Sequence, residues 1–452
     1  MVGAAAIGID RTRYVDPAQY VFLARTVQSA EIVSLAESIH MTHEFPLVRL
    51  GMVRHLNENL GFHVLALEGS SVDAWATQDL LLNSARSEWD IGRAQKGFFP
   101  VWDTPEMRGL FRYEVQSWKT RTPLYITAYD IQPGTGSLTR GEKAFWWLQG
   151  VLWRYAPAPR GFEATTWTHQ LSPLANACAA FTPEDSAPAE IAIEELDRWI
   201  AAAAPEVKRK FPTVPHAAAL RLIPENLRAS LRLCRAVRFG DWVHYKQTRD
   251  LNAEAYVQQL KDAAPGGKLL LWAHASHLFY DSSRMNTSVG ELLHDQLGPR
   301  IYTIGVFAER GGAIMLFSDV HDLIGYGLVR APWGALRSRV DELCPTDCFM
   351  DLRGTQDRLF LTPQPTCFEG RATPLALAKE FDAVVWIKHV HAPDLPPGRF
   401  LIMATLAYVR PPRVYWTATA ILLCLAGVVV LLRMVVRIGR RRRLNAAPAQ
   451  AP

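Results

Sequence analysis

The stretch 32–68 constrains this chain most. Ile32-Val33-Ser34-Leu35-Ala36 is a short, β-branched apolar run that ends in Glu37, and Phe45, Val48, Met52, Val53, Leu56 and Leu60 follow at helical spacing until Gly61 stops the helix. A second apolar run, His63-Val64-Leu65-Ala66-Leu67, ends in Glu68. Strand, helix and strand at this spacing form a βαβ unit, whose right-handed crossover makes the two strands parallel. Parallel strands bring their carboxyl ends to one edge of the sheet, where open α/β folds bind ligands. Glu37, His40 and Glu68 therefore belong to one edge.

Further runs extend the sheet. Leu124 to Ala128 reads as a third strand leading to Asp130, Lys268 to Trp272 as a fourth leading to His274 and His277, Ile301 to Val306 as a fifth and Phe381 to Ile387 as a sixth. Between them lie a helix over Ser70 to Leu82 and a helix that Thr104 caps with Pro105 at its first position, running to about Thr120. The segment 137–265 is helical by pattern, broken by prolines at 157, 159, 173, 183, 188, 205, 212, 215 and 224, with its final helix beginning at Arg249. It suits a helical cap over the sheet edge. The fold class expected is a three-layer α/β/α core with a mainly parallel sheet, that cap and one C-terminal transmembrane helix. Residues 1–30 read as a lead-in with one short helix, 31–390 as the main α/β domain, and 391–413 as a proline-rich linker.

Val414 to Leu432 carries no charge and has the length that spans a bilayer; Tyr415 and Trp416 introduce it, and Arg433, Arg437 and Arg440 to Arg443 follow. The span expected is 414–436, with a basic tail over 437–452. The arginines place that tail in the cytoplasm and the body outside, whereas the N-terminus lacks the pattern of a secretory signal. The balance favours a single-pass membrane protein with a cytoplasmic catalytic body. A net charge of +5 over 452 residues, concentrated in the tail, gives no support to nucleic-acid binding. The six cysteines are scattered, which suggests a reduced compartment, with a single disulfide in the region of Cys344 to Cys367 left open.

Glu37 with His40, Glu68, and His274 with His277 stand directly after three apolar strands. A histidine held by a carboxylate is a general base near neutral pH, because the carboxylate fixes its tautomer and raises its basicity. That points to hydrolysis. The same groups could hold zinc or manganese, and nothing in the residue pattern separates the two chemistries. No Gly-x-Ser-x-Gly elbow, phosphate loop or dinucleotide fingerprint occurs. His43 and Glu44 read as solvated helix-start residues, Glu44 favouring the helix dipole.

Ala36-Glu37-Ser38-Ile39-His40-Met41 resembles the Gly-Glu-x-Thr-His-Gly motif of the erythromycin esterase family, Leu67-Glu68 its next strand-end glutamate, and Trp272 to His277 its Trp-Ala-His-Asn-x-His block. Weaker matches are Trp102 to Glu106, Tyr129-Asp130, Arg249 to Ala253 and Phe381 to Ala383. The resemblance covers roughly residues 30 to 410. It implies a core related to other hydrolases and to haem-iron-binding proteins, and hydrolysis of a macrolide lactone without metal or other cofactor. By position it makes His40 the general base, with Glu37 and Glu68 assisting and His274 completing the catalytic set. Arg49, His277, Asp130 and Arg249 are the residues it suggests for substrate binding. Ala36, Ile39 and Met41 depart from the motif, and Ser276 stands near its asparagine, so the ionisable positions match while the small ones between them differ. The partners expected are a small ester or lactone and the membrane. The alternatives are a metal-dependent hydrolase on the same site and a non-enzymatic module that holds haem or lipid.

Overall fold

The computed structural model describes residues 5–236, 242–281, 287–317 and 323–395. The expected transmembrane span, the basic tail and residues 396–413 of the linker lie outside them. Among the described residues no helix is long and apolar enough to cross a membrane. The chain divides into a unit of 1–315 with 326–395, which holds the eight-stranded sheet and the candidate site, and a second of 316–325 with 396–452.

Among the described residues twelve strands occur in chain order: β1 (Ala5–Gly8), β2 (Ile32–Glu37), β3 (Val64–Ser70), β4 (Tyr125–Asp130), β5 (Leu269–His274), β6 (Ile301–Ala308), β7 (Arg310–Phe317), β8 (Leu323–Arg330), β9 (Cys348–Asp351), β10 (Gln364–Phe368), β11 (Arg371–Leu375) and β12 (Ala383–Ile387). Eight form one sheet in the order β1-β9-β12-β6-β2-β5-β3-β4. The run from β12 to β4 is parallel, while β9 pairs antiparallel with both β12 and β1. The protein is thus a mixed α/β fold with a mainly parallel central sheet. β2, β3, β5 and β6 are buried along their whole length, which is why they appear as continuous apolar runs rather than alternating ones.

The lead-in differs from expectation. Ala5–Gly8 closes the sheet as an edge strand, and the following residues form two short 3-10 turns and the helix Leu23–Thr26. The helices Glu44–Leu60, Ser71–Asn83 and Pro105–Ser117 lie close to the ranges the pattern indicates, and Gly61 caps the first of them at φ 78°.

In the 137–265 segment, Pro205 and Pro224 do not break the chain: Ser186–Lys210 and His216–Ala236 run through them. The last helix of the segment, Trp242–Ala263, starts before Arg249, so Arg249 and Asp250 lie in its interior. Side chains from the preceding helix hold the end of β4, with Asn226 donating to Asp130 O at 3.2 Å and Ser230 to Ile131 O. The cysteines also differ from expectation, since Cys178 is bonded to Cys234 and Cys344 to Cys348, and Cys367 is free and buried.

Candidate active site

The strand order explains why distant residues meet. β5 lies between β2 and β3, and β4 flanks β3, so the ends of four neighbouring strands supply Glu37, His274, Glu68 and Asp130. Glu37 stands opposite His274 in the β2·β5 register, and Leu67 opposite Trp272 in β3·β5.

Glu37 is the lowest layer of the site and is 1% exposed. Its Oε1 lies 2.5 Å from His40 Nδ1, and its Oε2 accepts from Arg49 Nη2. Arg49 sits on the helix after β2, fully buried, with its guanidinium 3.9 Å from the centre of the Trp272 ring. Burial opposes the charge on this guanidinium, yet the paired carboxylate keeps it protonated. Arg49 is therefore a buried counter-charge to Glu37 and does not face a substrate.

His40 is wedged between Trp102, edge-on at 5.1 Å between ring centres, and His274, at 4.8 Å. Because a carboxylate only accepts, the Nδ1 contact assigns a proton to Nδ1 and leaves Nε2 with its lone pair. Burial pushes the His40 imidazole below its ordinary value, while the charges of Glu68 and Glu369 pull it up. The net shift is downward, which favours the neutral imidazole. His274 has the opposite tautomer: Ser276 N–H donates to Nδ1 at 3.4 Å and the Ser276 hydroxyl lies 2.8 Å away, so its proton sits on Nε2. Burial, and then the neighbouring His40, pushes its pKa down to about 3. His274 thus stays neutral and serves as a hydrogen-bond donor.

Glu68 knits the second half of the site. Its Oε2 accepts the His274 backbone N–H at 2.9 Å, and its Oε1 lies 3.2 Å from Arg249 Nη2 and 3.4 Å from His277 Nε2. Burial alone would raise its pKa, but the charges of His277, Arg249 and His40 hold it well below the usual carboxylate range. Beneath it, Arg249 pairs with Asp130, which is 1% exposed, and Asp250 holds His277 Nδ1 at 2.9 Å. Lys246 completes this chain of charges 2.9 Å from Asp250. Asp130 and Arg249 are accordingly supports of Glu68, tied to each other rather than open to a ligand.

The structure adds residues that the sequence reading passes over. β10 and β11 form a hairpin whose tip, Glu369-Gly370, has φ of 50° and 73°. Glu369 N–H donates to Ser38 O at 2.9 Å, its carboxylate lies 3.7 Å from His274 Nε2, and Phe368 packs on the His274 ring. Two five-residue strands around an x-Gly pair are a hairpin signal, so the turn was within reach of pattern reasoning. Glu44 is buried and His43 half-buried rather than solvated: His43 Nδ1 contacts Glu106 at 2.8 Å, and Glu44 accepts from His391 N–H at 2.7 Å. The first residues of the expected linker are therefore pinned to the sheet edge. Two surface clefts of about 440 and 600 Å³ lie elsewhere, one beside His63 and Trp118, the other beside Asp10 and Lys388.

A family model described as erythromycin esterase matches residues 57–390. A curated protein of Bacillus subtilis (strain 168), "Putative hydrolase YbfO", is 22% identical over 400 residues, covering 82% of this chain and 86% of that one. Among solved structures, a Bacillus cereus protein superposes with a TM-score of 0.68 at 18% identity, covering 87% of this chain and 97% of its own. A mutant of erythromycin esterase EreC in its open conformation gives 0.58 at 19% identity, covering 85% and 98%. At these identities the structural matches speak for the fold.

Proposed function

Given that the chain belongs to the erythromycin esterase family, we propose that it is a membrane-anchored hydrolase that cleaves an ester or lactone with water activated on His40. The observation that carries this reading is the opposed pair of neutral imidazoles, His40 with a free Nε2 lone pair and His274 with an Nε2 proton, 4.8 Å apart between ring centres. His40 Nε2 takes a proton from water while the resulting hydroxide attacks the carbonyl carbon. The carbonyl π pair moves onto oxygen, where the His274 Nε2–H stabilises the developing charge. Collapse breaks the bond to the alkoxy oxygen, which leaves as the alcohol with the proton from the His40 imidazolium. Glu37 supports that imidazolium, and the acid is the second product.

In this reading the core is three-layered and the helices of 137–265 act as a cap, supported by the delivery of Arg249 and Asp250 to the site from one of them. The anchor rests on Val414 to Leu432 and the arginines after it. The two disulfides, together with that arginine tail, favour a body on the oxidising side of the membrane, which reverses the cytoplasmic expectation. The metal-dependent alternative finds less support, because among the described residues the ligand atoms of His40, His274 and His277 do not gather with carboxylates into a group close enough to share one ion.

The test is turnover of a panel of p-nitrophenyl esters and macrocyclic lactones by the full-length protein and its His40→Ala variant. Hydrolysis that His40→Ala abolishes is the expected result. Unchanged turnover in the variant would sink the mechanism, and a stoichiometric bound metal that His40→Ala loses together with activity would replace it with the metal-dependent one.

A further inference from the structure

Three separate segments bring ionisable side chains together beside the active site. His43 precedes the helix Glu44–Leu60, Glu106 lies in the first turn of Pro105–Ser117, and Asp394 lies beyond β12. Their ligand atoms all fall within 4.8 Å of one another, the one such group of His, Cys, Asp and Glu among the described residues. His43 Nδ1 is 2.8 Å from Glu106 Oε1 and 3.8 Å from Asp394 Oδ2. Metal bonds of about 2.0–2.2 Å in a tetrahedron set ligands roughly 3.3 Å apart. The two His43 separations straddle that value and the whole set lies within 4.8 Å, so modest side-chain adjustment brings the donors into place.

A second observation points to a ligand. Glu106 is 6% exposed, and its Oε2 is buried without a hydrogen-bond partner among the described residues. Its Oε1 already accepts from Asp394 N–H at 3.0 Å as well as facing His43. A buried carboxylate oxygen left unsatisfied costs on the order of 1–3 kcal/mol or more, and a cation removes that cost directly. One imidazole nitrogen with two carboxylates is a donor set for zinc or manganese rather than for copper(I), which prefers sulfur. The neutral imidazole and two carboxylates balance a dication.

We propose that His43, Glu106 and Asp394 bind one divalent cation of the zinc or manganese class, separate from the catalytic His40, with water completing the coordination. The cation fastens the segment after β12 to the two helices that start at the sheet edge, beside the clasp that Glu44 already makes with His391 at 2.5 Å. It thereby ties the chain leading toward the expected membrane span to the loop that carries His40.

The test uses the full-length protein, stripped with chelator and exchanged into metal-free buffer, titrated calorimetrically with ZnCl₂ and separately with MnCl₂. One saturable site is expected. Asp394→Asn should weaken it at least tenfold and His43→Ala more, while His40→Ala should leave it unchanged. The Asp394 side chain is 82% exposed, so its substitution does not threaten the fold. No saturable binding of either cation, affinity undiminished in Asp394→Asn or His43→Ala, or loss of binding in His40→Ala would each overturn the assignment.

Discussion

Glu37→Gln changes one atom type at the most constrained carboxylate of the site. In the parent, one oxygen takes the His40 Nδ1 proton and the other takes Arg49 Nη2, so both partners are donors. A glutamine has a single acceptor to offer. A hydrogen bond from a charged guanidinium is worth about 1.5–3 kcal/mol and a neutral one about 0.5–1.5, so the amide oxygen turns to Arg49 and the amide nitrogen to His40. His40 must then present an unprotonated Nδ1, which moves its proton to Nε2 and removes the base. Losing a tautomer-fixing carboxylate costs about 10⁴-fold in kcat in the serine protease precedent, or roughly 5.5 kcal/mol of barrier. Stability should fall as well, because Arg49 loses its counter-charge while keeping a hydrogen bond, at or below the low end of the ~3–5 kcal/mol expected for breaking a buried pair. The assay is initial-rate kinetics on an ester that the parent hydrolyses, with circular dichroism at the assay temperature to show that the variant is folded. A folded Glu37→Gln protein with kcat within tenfold of the parent would refute the tautomer argument.

Glu369→Gln removes a charge that raises the pKa of His40 and His274; since the base works deprotonated, the acidic limb of the rate profile should move to lower pH, and an unmoved limb would place Glu369 outside the electrostatics of the site. Thiol titration of the denatured, unreduced protein should find at most two thiols, because four of the six cysteines are paired, against six after reduction; six without reductant would return the body to a reduced compartment. Burial raises Glu114 to about 8 despite hydrogen bonds from Ile126 N–H and Gln78. The unfolded chain therefore loses this proton first, and stability linked to Glu114 is full below about pH 4.5 and declines as pH rises toward 8. Urea denaturation at pH 5 and pH 8 should show that slope in the parent and a shallower one in Glu114→Gln.

The six parallel strands were legible because strands covered on both faces carry runs of apolar residues, and each of them is buried along its length. β9 and β1 were not, since four residues each at a sheet edge give pattern reasoning too little to count. The ionisable residues at the strand ends were found by position, but their division of labour was not. Arg49 was expected to meet substrate from its position in the resembling family, whereas its burial against Trp272 is a tertiary fact. Prolines 205 and 224 misled for a related reason: the penalty for a helix proline is real, yet packing of the long helices Ser186–Lys210 and His216–Ala236 against each other outweighs it. The disulfide from Cys178 to Cys234 spans 56 residues, a pairing that spacing alone cannot select.

Met41 shows how one of the motif departures is accommodated. It occupies the second glycine position of the resembling motif, and its φ of 54° is left-handed, so the glycine there answers a backbone requirement that this chain meets with methionine. The strain costs about 1–2 kcal/mol. Against it, Met41 is 3% exposed, and burying such a side chain is worth roughly 1.5–3 kcal/mol before the cavity that truncation leaves is counted. Its carbonyl also accepts from Ile314 N–H at 3.2 Å, which holds the loop in either variant. Met41→Gly therefore relieves the strain but forfeits the packing, and glycine adds about 0.5–1 kcal/mol of unfolded-state entropy. The losses exceed the gain, and urea denaturation should show the variant less stable by about 1–2 kcal/mol. A Met41→Gly protein as stable as the parent would mean that the side chain contributes little packing beside His40, and that the pocket is not shaped by the residue that replaced the glycine.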